Sequence, residues 1–314
     1  MPVTAFMKCT KKREKEFGEE KFNLTFIGNT GRCGSTLLAS SLEAKTDAIV
    51  IDEPIPIRDW LPDKTVTSYQ GYPRLEVLKA VIDVLCLQCT KESGTRNVVI
   101  KTISHGIAII QDLHTLYPDS KKIYMYRNPT KHLPSMEAAY KGMYPNDMIF
   151  KFKHRFITDR RDIITFNFYD PNGPASKTLE KNYLTNIKKD YIVWTASKFA
   201  ANVLSAIEME NRGIQFYVVC FDEFVKNFQK IFLELTSHCG YEVKDGDSWE
   251  LTKQDTQKNT FLGKSNLDKL KQDMTDAKIK CSNQVFNFCG LPDCDKFPLR
   301  NVKSLRDITC APAA

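Results

Sequence analysis

The chain has 314 residues, 42% of them hydrophobic and 26% charged, and 45 Lys and Arg against 38 Asp and Glu leave a formal charge of +7. That much apolar material builds a large α/β core and excludes a disordered chain, while the mild basic excess suits an anionic ligand and falls short of a nucleic-acid-binding tail. No apolar run approaches the ~20 residues of a membrane span and residues 1–20 hold no signal-like hydrophobic stretch, so a soluble, cytoplasmic protein with no nucleic-acid partner is the expectation.

Residues 1–20, with the basic cluster "KKREK", read as a solvated segment ahead of the fold, and residues 21–314 as one domain. "FNLTFIG" at 22–28 reads as a strand, followed by a glycine-rich turn and a helix at 35–45. "AIVID" at 48–52 is the second strand, succeeded by Glu53 and a helix at 74–90. That helix contains Cys86 and Cys89 in "CLQC", which reads as core packing because no second pair is spaced to complete a metal site; no metal is expected. Strands follow at 97–101 ("NVVIK") and 121–127 ("KKIYMYR"), with helices at 106–117 and 130–141. Residues 142–186 break the alternation with charged and aromatic text and read as a lid over the carboxyl ends of the strands. A helix at 187–211, a strand at 214–221 and a helix at 223–238 complete the pattern. After about residue 240 the text is polar and irregular, and Cys281, Cys289, Cys294 and Cys310 in it leave room for disulfides. The fold class expected is α/β, a central parallel sheet of about five strands flanked by helices.

Two places carry anion chemistry. The turn from Gly28 to Gly34 delivers Ser35 and Thr36 to a helix start, where free backbone N–H groups and the helix dipole favour an anion. A triphosphate loop would place a lysine directly before the hydroxyl residue; here the cation within the turn is Arg32. The second place is "RNPTKHLPS", in which Arg127 leaves a strand end, Pro129 redirects the chain and Ser135 follows eight residues after the arginine. That spacing lets a guanidinium and a hydroxyl converge on a further anion. Two such sites at neighbouring strand ends imply a ligand with phosphates at two places.

On these residues the chain resembles the PAPS-dependent sulfotransferases. "RCGST", Arg32 to Thr36, is similar to the family's [KR]-S-G-[ST]-T loop that grips the 5′-phosphosulfate, and "RNPTKHLPS" to the R-[DN]-P…S motif that grips the 3′-phosphate. Weaker echoes run from residue 22 to about 265: "IKT" at 100–102, "CFDEF" at 220–224 and Trp194. The resemblance implies a P-loop NTPase-like sulfotransferase fold and transfer of a sulfonate from PAPS to a hydroxyl or amine of a small-molecule or glycan acceptor, with PAP as product. It implies cofactor contacts from Arg32, Cys33, Gly34, Ser35, Thr36, Arg127, Ser135 and Phe221, with Lys258 or Lys264 as further phosphate contacts. Arg32 and Lys101 would neutralise developing charge. For the general base two readings stand. Glu53, beside Asp52, resembles the carboxylate of carbohydrate and tyrosylprotein sulfotransferases, and is preferred. His105 lies two residues beyond Ile103, which occupies the position of the cytosolic branch's histidine. Cys33 stands where the family has a serine, and Phe221 where it has a tyrosine near adenine. A PAP-binding protein without turnover and a nucleotide kinase are the alternatives.

Overall fold

Runs of Val, Ile, Tyr and Phe bounded by turn residues form the strands: β1 (Asn23–Asn29), β2 (Ile49–Asp52), the two-residue β3 (Ser68–Tyr69) and β4 (Tyr72–Pro73), β5 (Asn97–Lys101), β6 (Lys121–Tyr126) and β7 (Tyr217–Cys220). They belong to a computed structural model that describes residues 2–17, 21–60, 66–91, 93–143, 176, 177, 179, 191–244, 269, 273–298 and 301–308. Five strands make a sheet in the order β2-β5-β1-β6-β7, every neighbouring pair parallel, while β3 and β4 form a separate antiparallel hairpin. The fold is α/β as expected, and each of the five expected strand segments contains one strand of the sheet.

The helices are α1 (Val3–Phe17), α2 (Ser35–Lys45), α3 (Ile55–Trp60), α4 (Arg74–Thr90), α5 (Ile110–Leu116), α6 (Pro129–Met143), α7 (Tyr191–Asn211), α8 (Phe221–Lys226), α9 (Phe228–Cys239) and α10 (Asp276–Phe288). A parallel sheet covered on both faces has continuous apolar strands whose alternate residues enter two different cores. Ile27, Val99, Ile123, Met125 and Val219 pack with Leu38 and Leu42 of α2 and Phe228, Phe232 and Leu235 of α9. Phe26, Val98, Ile100, Tyr124 and Val218 face the other way, onto Leu78 of α4, Leu113 of α5, Phe199 of α7 and Phe286 of α10. Each such buried side chain contributes about 1.5–3 kcal/mol.

Two segments differ from expectation. The N-terminal residues are not a lead-in: α1 places Met7 in the core cluster with Leu78, and Lys11 of the basic run pairs with Glu76 of α4 at 2.7 Å. The basic run is thus on a packed helix. The stretch after residue 240 is not wholly irregular either. Thr275 caps α10, its hydroxyl accepting from Lys278 N at 3.4 Å, and Val285, Phe286, Leu291, Phe297 and Leu305 are core residues. Cys281, Cys289 and Cys294 are free thiols; Cys310 lies outside the described residues. The expected lid at 142–186 also lies outside them, apart from the end of α6 and residues 176, 177 and 179. Among the described residues no helix is long and apolar enough to cross a membrane.

The strand order sets where a ligand binds. From β1 the chain moves through α2 to β2 on one side of the sheet, and from β6 it moves on to β7 on the other. The carboxyl ends of the neighbours β1 and β6 therefore flank a crevice where the winding reverses, the place where α/β sheets take ligands.

Candidate functional site

The loop after β1 is tied down on both sides. Asn29 donates from Nδ2 to the Thr102 carbonyl beyond β5 at 2.7 Å and accepts at Oδ1 from Gly31 N at 2.8 Å. Thr30 N donates to Met125 O of β6 at 3.1 Å. The chain then turns through three positive φ angles, Gly31 at 76°, Arg32 at 47° and Gly34 at 80°, before α2 begins at Ser35. Left-handed backbone is ordinary for glycine and strained for arginine. No side chain caps α2, so the N–H groups at Ser35 and Thr36 are helix-terminal donors of the kind that bind anions. Cys33 is buried in the core beside α2, and that burial pushes its thiol up despite contacts with Thr30 and the Ser35 backbone. It borders the loop as a neutral, packed thiol, its side chain turned into the core.

The second anion motif is built on a helix start. Asn128 is the cap of α6: its side-chain oxygen accepts from Thr130 N at 2.9 Å, and Pro129 occupies the first helical position, where a missing N–H costs nothing. Asn128 N donates to Asp222 of α8 at 3.1 Å, fixing the β6 end against the β7 end. Arg127 is thereby projected from the cap, with its guanidinium carbon 5.1 Å from the centre of the Phe221 ring. Its Nε is buried with no hydrogen-bond partner among the described residues, and desolvation draws its pKa down against the opposing pull of Asp222.

The two motifs meet. Arg32 Nε donates to Ser135 Oγ on α6 at 3.3 Å. On the other side, the Phe221 ring fills the place where a side chain at residue 34 would stand: a Cβ built on Gly34 lies 2.1 Å from the ring carbons. Phe221 therefore lies against the loop backbone and under Arg127, which ties β1, β6 and β7 at one edge.

On the far side of β1, Lys101 is buried at the end of β5 in register with Asp52. Its Nζ donates to Asp52 Oδ1 and Glu53 Oε1, each at 2.6 Å, while both carboxylates remain nearly half exposed. Glu53 itself is left-handed, with φ 46°, and its N–H donates to the Lys101 carbonyl at 2.9 Å. A non-glycine residue in that conformation marks a position that its surroundings determine. The backbone of His105 lies in the 3-10 segment Ser104–Ile109, but its side chain, like Lys258 and Lys264, lies outside the described residues. Trp194 sits on α7, edge-on to Tyr140 at 4.7 Å.

Two residues of this edge are ones that motif reading does not single out. Asn202 of α7 donates to the Asn29 carbonyl at 3.1 Å and to the Ser104 carbonyl, and accepts from Tyr124 Oη at 2.6 Å. One amide thus clamps the loops after β1 and β5. Its signal in the sequence is an asparagine inside the apolar stretch "FAANVLSAI". His132, inside the second motif on α6 and buried against the Phe199 ring, is the other.

The edge of the sheet thus offers helix-terminal N–H groups, two guanidinium groups and a hydroxyl for anions, and beside them a lysine with two carboxylates. No protein-family model matches the chain, and no curated protein matches it. Among solved structures, the chain is similar to a sulfotransferase from Alicyclobacillus acidocaldarius, at 17% identity and a TM-score of 0.40, over 74% of this chain and 89% of that one. It is also similar to the sulfotransferase domain of the Synechococcus PCC 7002 olefin synthase, at 14% identity and a TM-score of 0.40, over 94% of this chain and 91% of that one.

Proposed function

We propose that the chain is an enzyme that transfers a sulfonate group from PAPS to a hydroxyl acceptor on a small molecule or glycan, releasing PAP. The observation that carries this reading is the contact between the two anion motifs across the β1–β6 crevice, with Arg32 on Ser135 at 3.3 Å and Phe221 between Gly34 and Arg127. A nucleotide with phosphate only at its 5′ end engages one motif, whereas PAPS has a second phosphate for the other. The residues fit such a ligand: the donors are N–H groups, hydroxyls and guanidinium groups, and the buried Arg127 Nε has no hydrogen-bond partner among the described residues.

In sulfonate transfer an acceptor oxygen forms a bond to sulfur while the bond from sulfur to the 5′-phosphate oxygen breaks. Charge accumulates on the leaving oxygen, and the protein's task is to position and neutralise. Arg32, with the N–H groups and hydroxyls of Ser35 and Thr36, serves the leaving side. Glu53 takes the acceptor's proton; Lys101, bonded to it at 2.6 Å, orients the carboxylate. Glu53 is assigned over His105 because it is presented at the strand edge by that ion pair and by its left-handed backbone.

The test is transfer of labelled sulfonate from PAPS to a panel of phenols, steroids and glycans. A labelled product with at least one acceptor class is the expected result. Tight PAP binding with no transfer to any acceptor would favour the non-catalytic reading, and ATP consumption a kinase.

A further inference from the structure

We propose that Phe221 is a positioning residue that holds the Arg127 guanidinium for its anion and so sets the preference for a second phosphate; the nucleotide arm of its test rests on the PAPS reading above. The Arg127 guanidinium carbon stands over the Phe221 ring, 5.1 Å from its centre, and the buried Nε has no hydrogen-bond partner among the described residues. Asp222, the residue after Phe221, is engaged elsewhere: its Oδ2 accepts from Asn128 N at 3.1 Å and its Oδ1 from Lys131 Nζ at 2.7 Å. An aromatic face attracts a guanidinium without consuming its N–H donors. A carboxylate in the same place would take those donors and cancel the charge. The ring therefore orients Arg127 and keeps it available to an incoming anion.

The ring is itself held on two sides. Its Cδ2 and Cε2 atoms lie 2.1 Å from the place of a Cβ on Gly34, so the loop admits the ring only because residue 34 has no side chain. At its root, Asn301 brackets the turn from β7 into α8: Oδ1 accepts from Cys220 N at 2.8 Å, and Asn301 N donates to Glu223 Oε2 at 2.7 Å. Arg127 leaves the end of β6, the sheet neighbour of β7, so a fixed ring presents the guanidinium from a fixed direction. The sulfotransferase resemblance implies an adenine neighbour at this position, and the two roles have different consequences. A ring that stacks on adenine helps every adenine nucleotide alike. A ring that holds Arg127 helps only a nucleotide with a phosphate for Arg127 to bind.

The experiment has two arms on the whole chain. In the first, proton–nitrogen NMR of the arginine Nε–H groups identifies Arg127 by its absence in Arg127→Lys. The expected result is a ring-shifted Arg127 signal that moves back towards the other arginines in Phe221→Leu and stays in place in Phe221→Tyr; a signal unmoved in Phe221→Leu overturns the proposal. In the second, calorimetry measures 3′,5′-ADP and 5′-AMP affinities for the unmutated chain, Phe221→Leu, Phe221→Tyr, Arg127→Ala and the Phe221→Leu, Arg127→Ala double variant. Phe221→Leu is expected to lower the ratio of the two affinities about threefold or more, Phe221→Tyr to keep it, and Phe221→Leu to change it less than about twofold once Arg127 is gone. Equal weakening of both nucleotides by Phe221→Leu would make the ring an adenine platform or a packing residue and overturn the proposal. If the unmutated chain shows no preference for 3′,5′-ADP, the PAPS reading fails, and the NMR arm still decides whether Phe221 holds Arg127. If Phe221→Leu does not fold, Phe221→Met in the same cycle and the same spectra decides.

Discussion

Arg32 spends its conformational freedom on one direction. Its left-handed backbone and its bond to Ser135 hold the guanidinium at the crevice, and on the proposed reading a group held for developing charge serves the transition state more than the bound nucleotide. Arg32→Ala is therefore expected to lower turnover more than it weakens PAP binding, measured by steady-state kinetics beside calorimetry; equal losses would mean simple ground-state binding. Glu53→Gln keeps the size of the side chain and removes the proposed base. It is expected to cut the chemical step by ~100-fold or more with PAP affinity little changed, while His105→Ala stays active; the reverse pattern would move the base to His105. His132 gives a pH prediction. Its pKa falls from 6.5 to about 3 on folding, because burial and neighbouring cations disfavour the charged ring. The unfolded chain then binds the proton first, so the stability His132 contributes is complete above pH 6.5 and is lost as pH falls towards 3, by up to about tenfold in the folding constant per pH unit. Urea unfolding from pH 7 to pH 4 should show a shallower acid loss in His132→Gln than in the unmutated chain; parallel curves would contradict it.

Between β1 and α2 the chain has room for glycine only. Residue 34 sits at φ 80° with the Phe221 ring in the place of its side chain. Gly34→Ala is expected to destabilise by about 1–2 kcal/mol from backbone conformation alone, with a steric part added that Phe221→Ala relieves and a backbone part that it does not. Thermal unfolding of the two single variants and the double variant separates them, and a Gly34→Ala chain as stable as the parent would refute the packing. This element was legible in the sequence, since a glycine turn between an apolar run and a hydroxyl pair has few other uses. The five strands were legible for a related reason: a sheet buried on both faces writes itself as uninterrupted Val, Ile and Tyr. The same physics hid α1 and α10. Each packs through a few apolar residues, Val3, Phe6 and Met7 in one and Ile279, Val285 and Phe286 in the other, interspersed with polar and charged residues that read as solvated text. His132 and Asn202 were hidden differently. Asn202 meets backbone carbonyls of two distant loops and His132 packs on the Phe199 ring, and nothing in the local sequence says which distant group a buried amide or imidazole will meet.

Over the whole molecule, the five-stranded order brings together groups from every strand end: Arg32 after β1, Glu53 after β2, Lys101 at β5, Arg127 after β6 and Phe221 after β7. On the proposed reading, one side of this edge handles the sulfonate and the acceptor, and the β6 side handles the ribose 3′-phosphate. That phosphate separates PAPS from common adenine nucleotides, and Arg127 with Ser135 is the pair assigned to it. A charged hydrogen bond to a phosphate is worth about 1.5–3 kcal/mol, or roughly ten- to a hundredfold in affinity. The decisive measurement is calorimetric titration of 3′,5′-ADP and 5′-AMP into the unmutated chain and into the Arg127→Ala, Ser135→Ala double variant. The account predicts that the unmutated chain prefers 3′,5′-ADP by at least about tenfold and that the double variant loses most of that preference; equal binding of the two nucleotides by the unmutated chain would contradict it.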